Sequence, residues 1–354
     1  MSKFKILMVD ATFLTRAPNR EKTCRHVTHW ARSHNANVHI LTTEMGIEFY
    51  TSMLPQEIQS QISFSVLKCS RDYEKIGLIQ VVPEYLRRIH GAVSTLIPRD
   101  VDVIYTVSSV IVDPIVALIL RSRSKRAKVF VTFDNFVPRP SKRPGKYIYK
   151  LIPYLASKVT LFLLGYVDCI FAYLTSENAN RLSNYLRRHK DRHVVRFTNG
   201  LDLSEIDKAG VGAAKCYDLI FVGRLHPAKG IWDFLEVVLG LRNIRRDIRV
   251  AMVGPAMSEI QADIIRYIDA HKLNDNVDVM GYVDIQKKYE LLKSSKIFLF
   301  LSHDDSFPVA VLEAIACGLP ILAYDLDVFA SPPYNRACIK TIKTCQCKIR
   351  RIKA

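Results

Sequence analysis

The sequence predicts an α/β protein made of two Rossmann-like domains, and three observations carry that reading. Short runs rich in Val, Ile and aromatics alternate with longer amphipathic stretches. That alternation is the pattern of a parallel sheet covered by helices on both faces, with right-handed crossovers. The series stops at a polar stretch and then begins again. The length, 354 residues, accommodates two domains of ordinary size.

The first series opens with Lys5–Val9 and continues through 38–42, 101–107 and 128–133 to 169–173, with 194–197 after a basic helix. Helical patterns lie between these runs, for example over 23–33 and 110–123. Asn199-Gly200-Leu201-Asp202 is a turn signal. The polar stretch that follows reads as a linker. The expected organisation is therefore a domain over 1–203, a linker over 204–215 and a second domain over 216–354. Expected strands of the second domain lie at 218–223, 249–254, 277–280, 297–301 and 320–324.

Lys and Arg number 51 against 34 Asp and Glu, an excess of +17 that suits an acidic partner. Composition excludes disorder, collagen and coiled coil: 49% of residues are hydrophobic and 24% charged. No apolar run reaches the ~20 residues of a spanning helix, and the N-terminus lacks the pattern of a secretory signal. The eight cysteines then read as reduced thiols of a cytoplasmic protein. Cys338, Cys345 and Cys347 lack zinc-site spacing. A dinucleotide oxidoreductase is disfavoured, because the first strand–helix loop has no Gly-x-Gly-x-x-Gly. Nucleic acid is not expected as a partner, because no recognition motif accompanies the charge.

Two segments carry chemistry. In Phe221-Val222-Gly223-Arg224-Leu225-His226-Pro227-Ala228-Lys229-Gly230, an apolar strand ends in Gly, and Arg and Lys follow before a helix. Ligands of open α/β sheets bind at the carboxyl ends of strands. Arg224 and Lys229 can converge there on a diphosphate, one as a planar fork and the other as a point charge. An exposed ion-pair site is the alternative. In the second segment, Ser302 to Pro320, a loop bearing Asp305 leads through Pro308 into a helix that Gly318 ends. The helix N-terminus suits phosphate. Glu313, in a largely apolar stretch, needs partners. Sugar or ribose hydroxyls would serve, and so would a buried salt bridge or a helix cap.

These segments resemble the retaining glycosyltransferases of family 4, which have the GT-B fold. Asp305 and Glu313 stand at the two ends of that family's Glu-x7-Glu motif, followed by Ala314-Ile315-Ala316-Cys317-Gly318-Leu319-Pro320 in register. Val222-Gly223-Arg224 with Lys229-Gly230 resembles its phosphate-binding loop, Asn199 to Asp202 its interdomain segment, and Met280-Gly281-Tyr282-Val283 its loop beside the nucleobase. The likeness runs over roughly residues 3–325. It implies two Rossmann-like domains whose parallel sheets face across a cleft. It also implies transfer of a hexose, with retention, from a nucleoside diphosphate sugar to a glycan or lipid-linked acceptor.

By the same resemblance Arg224 and Lys229 stabilise the departing diphosphate, Asp305 binds hydroxyls of the transferred sugar, and Glu313 binds the ribose. Gly223, Tyr282, Phe307, Val309 and Ala310 line the donor. No metal or other cofactor is implied, since the two cations take that role. Asp305 is one methylene shorter than the family's usual Glu. The first strand–helix loop, 11–22, lacks the Gly-Gly pair of many members. Asp134 stands after Thr132-Phe133 near where members often carry a His. It takes over that role near the sugar, or is structural.

The family usually continues beyond the position of Tyr324 with further strands and helices. Here a basic, unpatterned tail over 338–354 is expected, as in a truncated or frame-shifted chain whose second domain is incomplete. Apolar residues at 297–301 and 321–323 are then expected to lack cover, with poor order after Pro333. An inactive GT-B-like subunit that binds a membrane or a partner is the alternative function. Finally, Arg139, Lys142, Arg143, Lys146, Lys150 and Lys158 interleave with Tyr147, Tyr149 and Tyr154 in a segment that runs to Tyr166, and Arg121, Arg123, Lys125, Arg126 and Lys128 add to the charge. That mixture suits the anionic headgroups of a membrane's inner face, with a solvated surface as the alternative.

Overall fold

The computed structural model describes residues 3–12, 18–34, 36–67, 78–133, 136–137, 139–142, 147–172, 176–187, 193–196, 200–201, 203–210, 216–303, 305, 307–330, 334 and 339–343. The chain divides into two compact units, Met1–Phe197 and Thr198–Ala354.

The first unit holds a seven-stranded parallel sheet ordered β3-β2-β1-β4-β5-β6-β7. Its strands are β1 Lys5–Val9, β2 Asn37–Thr42, β3 Ile62–Val66, β4 Val103–Thr106, β5 Lys128–Phe133, β6 Cys169–Ala172 and β7 His193–Arg196. Side chains of a strand alternate between faces, and β1 shows the result. Leu7 and Val9 join a core with Val112, Val116 and Leu120 on one face. Ile6 and Met8 join Val27, Phe49 and Tyr50 on the other. Burial on both faces is why these runs read as continuously apolar.

The second unit repeats the plan with six parallel strands ordered β10-β9-β8-β11-β12-β13. These are β8 Tyr217–Val222, β9 Val250–Val253, β10 Val277–Gly281, β11 Ser295–Phe300, β12 Ile321–Tyr324 and β13 Ile339–Ile342. Ile220, Phe298 and Ile321 face one core, and Leu219, Phe221 and Leu299 the other. The expected strands of both series are present.

Three expectations are corrected. Residues 204–208, read as the start of a linker, belong to the short helix Leu203–Lys208. Buried Ile206 anchors it, and Lys293 Nζ donates to the carbonyls of Ile206 and Ala209 at 2.6 and 2.8 Å. Within the tail, Ile339–Ile342 pairs in parallel with β12 as the edge strand, while Cys338 and residues 344–354 lie outside the described residues. The strands beside that edge do not lack cover. Val328, Phe329 and Tyr334 pack with Phe298, Phe300, Ile321 and Ala323 in one buried cluster. The expectation also overlooked β3, whose Ile-Ser-Phe-Ser-Val sequence alternates at the sheet edge.

Candidate functional site

The site is built where β8, β9 and β11 end. Gly223 N–H donates to the Val253 carbonyl at 2.9 Å, and Leu225 N–H to that of Pro255 at 2.8 Å. The two strand ends approach so closely that a Cβ on Gly254 would lie 1.9 Å from the Gly223 oxygen. The chain then turns through the 3-10 segment Pro227–Lys229 into the helix Ile231–Ile244. Gly230 makes that turn with φ +76°, and a Cβ there would sit 2.0 Å from the Leu301 carbonyl oxygen. Only glycine fits both demands. The contact seats the Lys229 loop on the end of β11, where His303 N–H donates to the Ala228 carbonyl at 3.1 Å.

This packing sets the charged groups. Lys229 Nζ donates to Asp305 Oδ2 at 2.6 Å, across 76 residues of sequence. Asp305 Oδ1 accepts the Phe307 amide at 3.1 Å, so the loop is braced just before the helix Val309–Ala316. Arg224 is exposed at the rim and forms no ion pair among the described residues. His226 Nδ1 accepts the Ala228 amide at 3.1 Å. Burial, then the nearby Arg224 and Lys229 charges, hold His226 below its ordinary pKa. Both cations therefore act on the His226 ring.

Behind the loop, His303 Nε2 and Tyr324 Oη each donate to Asp233 Oδ2 at 3.0 Å. Burial would raise the Asp233 carboxyl, but these two donors outweigh it and hold the group below the ordinary carboxylate range. Tyr334 packs against Phe307, with ring centroids 5.4 Å apart. Burial, then the Asp305 charge, pushes its hydroxyl well above the usual tyrosine range.

Glu313 is buried and accepts from Lys288 Nζ at 2.7 Å and from Tyr289 Oη at 3.5 Å. Both bonds fall on Oε1. The buried salt bridge left open by the sequence is therefore present, and it leaves Oε2 for a ligand hydroxyl. The helix N-terminus has no side-chain cap at Pro308. The Val309 and Ala310 amides have no partner within the helix, as at any helix start. Tyr282 is 66% exposed beyond β10, after Gly281 turns the chain with φ +64°.

The structure therefore brings Gly223, Arg224, Lys229, Asp305 and Phe307 to one strand edge, with Glu313 further along the helix and Tyr282 apart on its own loop. Asp134, Asn199, Asp202 and Asp304 lie outside the described residues. Lys288, Asp233, His303 and Tyr324 escaped the sequence reading, since nothing in the spacing ties Lys288 to Glu313 or Asp233 to His303.

The matching edge of the first sheet is built differently. Strand order reverses between β2-β1 and β4, which makes a crevice at their carboxyl ends. Asp113 Oδ2 there accepts Ser108 Oγ at 2.7 Å and Thr12 Oγ1 at 3.0 Å, and Tyr50 Oη donates to Asp10 Oδ2 at 2.7 Å. The fully buried Arg88 donates to the Ala11 carbonyl at 2.7 Å and to Glu84 Oε1 at 3.1 Å.

Residues 204–331, which contain the whole strand-edge site, match the family described as Glycosyl transferases group 1. That match covers most of the second unit. Among its relatives is a phosphatidylinositol N-acetylglucosaminyltransferase subunit of Arabidopsis thaliana, 27% identical over 189 residues, covering 50% of this chain and 41% of that protein. Another is the alpha-galactosylglucosyldiacylglycerol synthase of Streptococcus pneumoniae, 24% identical over 191 residues, covering 52% of this chain and 48% of that one. The match thus spans less than half the length of each. Anabaena HepE, solved with UDP and glucose, superposes with a TM-score of 0.61 at 16% identity, covering 92% of this chain and 82% of that one. That likeness concerns the fold, and it includes both units. The GT-B architecture of two Rossmann-like units expected from the sequence is the fold of this chain.

Within the matched residues, the Gly-Arg-x4-Lys-Gly loop and the Asp305–Glu313 segment follow neighbouring strands, β8 and β11. Their juxtaposition results from the sheet order, which places the fourth strand of the series beside the first.

Proposed function

We propose that the chain transfers a hexose from a nucleoside diphosphate sugar to a glycan or lipid-linked acceptor with retention of configuration. The observation that carries the reading is Lys229, seated on the end of β11 beside Asp305 with the exposed Arg224 on the same loop, within the residues that match the group 1 family. Two cations converge where charge grows on a leaving diphosphate. Such preorganised electrostatics lowers the barrier without help from a metal. Asp305, which has lone pairs left on both oxygens, accepts sugar hydroxyls. Glu313 Oε2 accepts ribose hydroxyls, while Lys288 fixes its other oxygen. The Val309 and Ala310 amides face the phosphates or the sugar, Phe307 and Tyr282 flank the donor, and Gly223 lets it approach the backbone.

Retention needs no protein nucleophile in this scheme. The bond from the anomeric carbon to the diphosphate oxygen breaks, and the acceptor oxygen bonds to the same face. The acceptor proton passes to the departing phosphate oxygen, which the two cations hold in place. Asp134 remains in the proposal as a group near the sugar.

The test is to incubate the full chain with a panel of nucleoside diphosphate sugars, with and without polyprenyl or glycan acceptors. Released diphosphate and the anomer formed are read by proton magnetic resonance. Transfer or slow hydrolysis with the donor's anomeric configuration is expected. An inverted product removes the retaining mechanism. No turnover of any donor, with binding intact, leaves the non-catalytic reading.

A further inference from the structure

The helix Tyr147–Leu163 and the 3-10 turn Leu164–Tyr166 after it carry a face that the first unit leaves uncovered. Leu155, Val159, Phe162 and Tyr166 are 53%, 45%, 54% and 47% exposed. They recur at intervals of four, three and four residues, so they form one stripe. The Phe162 and Tyr166 rings touch, with centroids 5.2 Å apart. Single exposed apolar residues are commonplace, but a contiguous stripe of four is not.

Charge stands at the same place. Arg121 donates to the Tyr166 carbonyl at 3.1 Å, which ties the end of the stripe to the turn 122–126. That turn exposes Arg123, Lys125 and Arg126. On the helix itself, Lys158 is exposed beside the stripe, with its ammonium 5.2 Å from the Tyr154 ring centroid. The carboxylates of this region are already engaged, Asp168 by Arg121 and Lys128, and Asp100 by Lys5. The patch is therefore apolar in its middle and cationic at its border.

We propose that this face docks on an anionic lipid bilayer, with the stripe entering the acyl boundary and the cations meeting headgroup phosphates. Charge complementarity selects that occupant. A protein partner would need no such excess of cations around its apolar contact, whereas binding in the plane of a membrane draws on both terms at once. Among the described residues no helix is long and apolar enough to cross a membrane, so the contact is with the surface. The surface centres on 155–166 with the turn 122–126, so it overlaps the basic segment 139–158 and takes in Arg123, Lys125 and Arg126, which the sequence also singled out. The inference stands apart from the transfer reaction, because it uses no residue of the donor site.

The experiment is cosedimentation of the full chain with vesicles of phosphatidylcholine alone or mixed with phosphatidylglycerol. Two double variants accompany it, Leu155→Ser with Phe162→Ser and Arg123→Glu with Lys125→Glu. All four positions are exposed, so circular dichroism and thermal melting should match the parent chain. The parent should bind the anionic vesicles, poorly bind the neutral ones, and detach as salt rises to roughly 0.5 M. Each double variant should weaken binding by about tenfold or more. Equal binding to both vesicles, or binding to neither, overturns the proposal. So does anionic binding that the apolar variant leaves unchanged, because charge elsewhere would then suffice. A concentration-dependent dimer that the apolar variant abolishes, with no vesicle binding, would give the face to a second copy instead.

Discussion

The two units share a plan and treat its key position in opposite ways. In both, the carboxyl edge of a parallel sheet gathers polar side chains where strand order reverses. In the first unit those groups are turned inward: Arg88, Glu84, Asp113, Thr12, Asp10 and Tyr50 are buried and bonded to one another or to backbone. In the second, Arg224 stands exposed, Lys229 and Asp305 are partly open, and Glu313 has an oxygen to spare. A buried polar group is costly unless satisfied, so the first arrangement is structure. An open cation on a braced loop is available to a ligand, which is why the second is proposed as the site. Strand-edge geometry alone therefore does not separate the two edges; the state of the hydrogen bonds does.

The largest effect that separates the two comes from Arg88→Ala. It strips a buried carboxylate of one partner and orphans the Ala11 carbonyl. The loss should be about 3 kcal/mol of stability, seen in denaturant unfolding of the first unit, with nucleotide binding by the second unit unchanged. Nucleotide binding that falls in parallel would show that the two edges act as one. Gly230→Ala comes next. Its backbone conformation and the Leu301 carbonyl both oppose a side chain, so about 1–3 kcal/mol should be lost. Because the loop must shift, nucleoside diphosphate affinity should fall as well, which calorimetry would detect. Full affinity would show that the seating of Lys229 on β11 is unimportant.

The smallest effect concerns acid. Asp218 is pushed down to about 2 from 3.8, because hydrogen bonds from Arg245, Lys296 and the Arg249 amide outweigh its burial. A depressed carboxylate contributes stability above its unfolded value and loses it as pH falls through the folded one. Unfolding of the second unit should therefore steepen with acid between 3.8 and about 2, and Asp218→Asn should flatten that stretch. An unchanged slope would move the acid sensitivity elsewhere.

These residues also show what the sequence made legible. Buried parallel strands such as Leu7-Met8-Val9 and Leu219-Ile220-Phe221 are apolar on both faces, and their runs announce themselves. The edge strands do not. Ile62–Val66 alternates with serine, and Ile339–Ile342 sits in a basic stretch, because an edge buries less of itself. Gly223, Arg224, Lys229, Asp305 and Glu313 were legible through their spacing around strand ends. Lys288 and Asp233 were not, since their partnerships with Glu313 and His303 exist only after the helices pack. Arg88 gave no signal at all: one Arg in an amphipathic helix reads as a solvated face until the fold buries it against Ala11.

That Arg224 and Lys229 form a diphosphate site rather than an internal ion pair is tested most directly by calorimetry of the full chain with nucleoside diphosphates. Arg224→Ala and Lys229→Ala are measured beside it. A charged hydrogen bond contributes about 1.5–3 kcal/mol. Each variant should therefore weaken binding roughly ten- to a hundredfold, with melting of both units close to that of the parent. Unchanged affinity in both variants, or no binding by the parent chain, would contradict the diphosphate site.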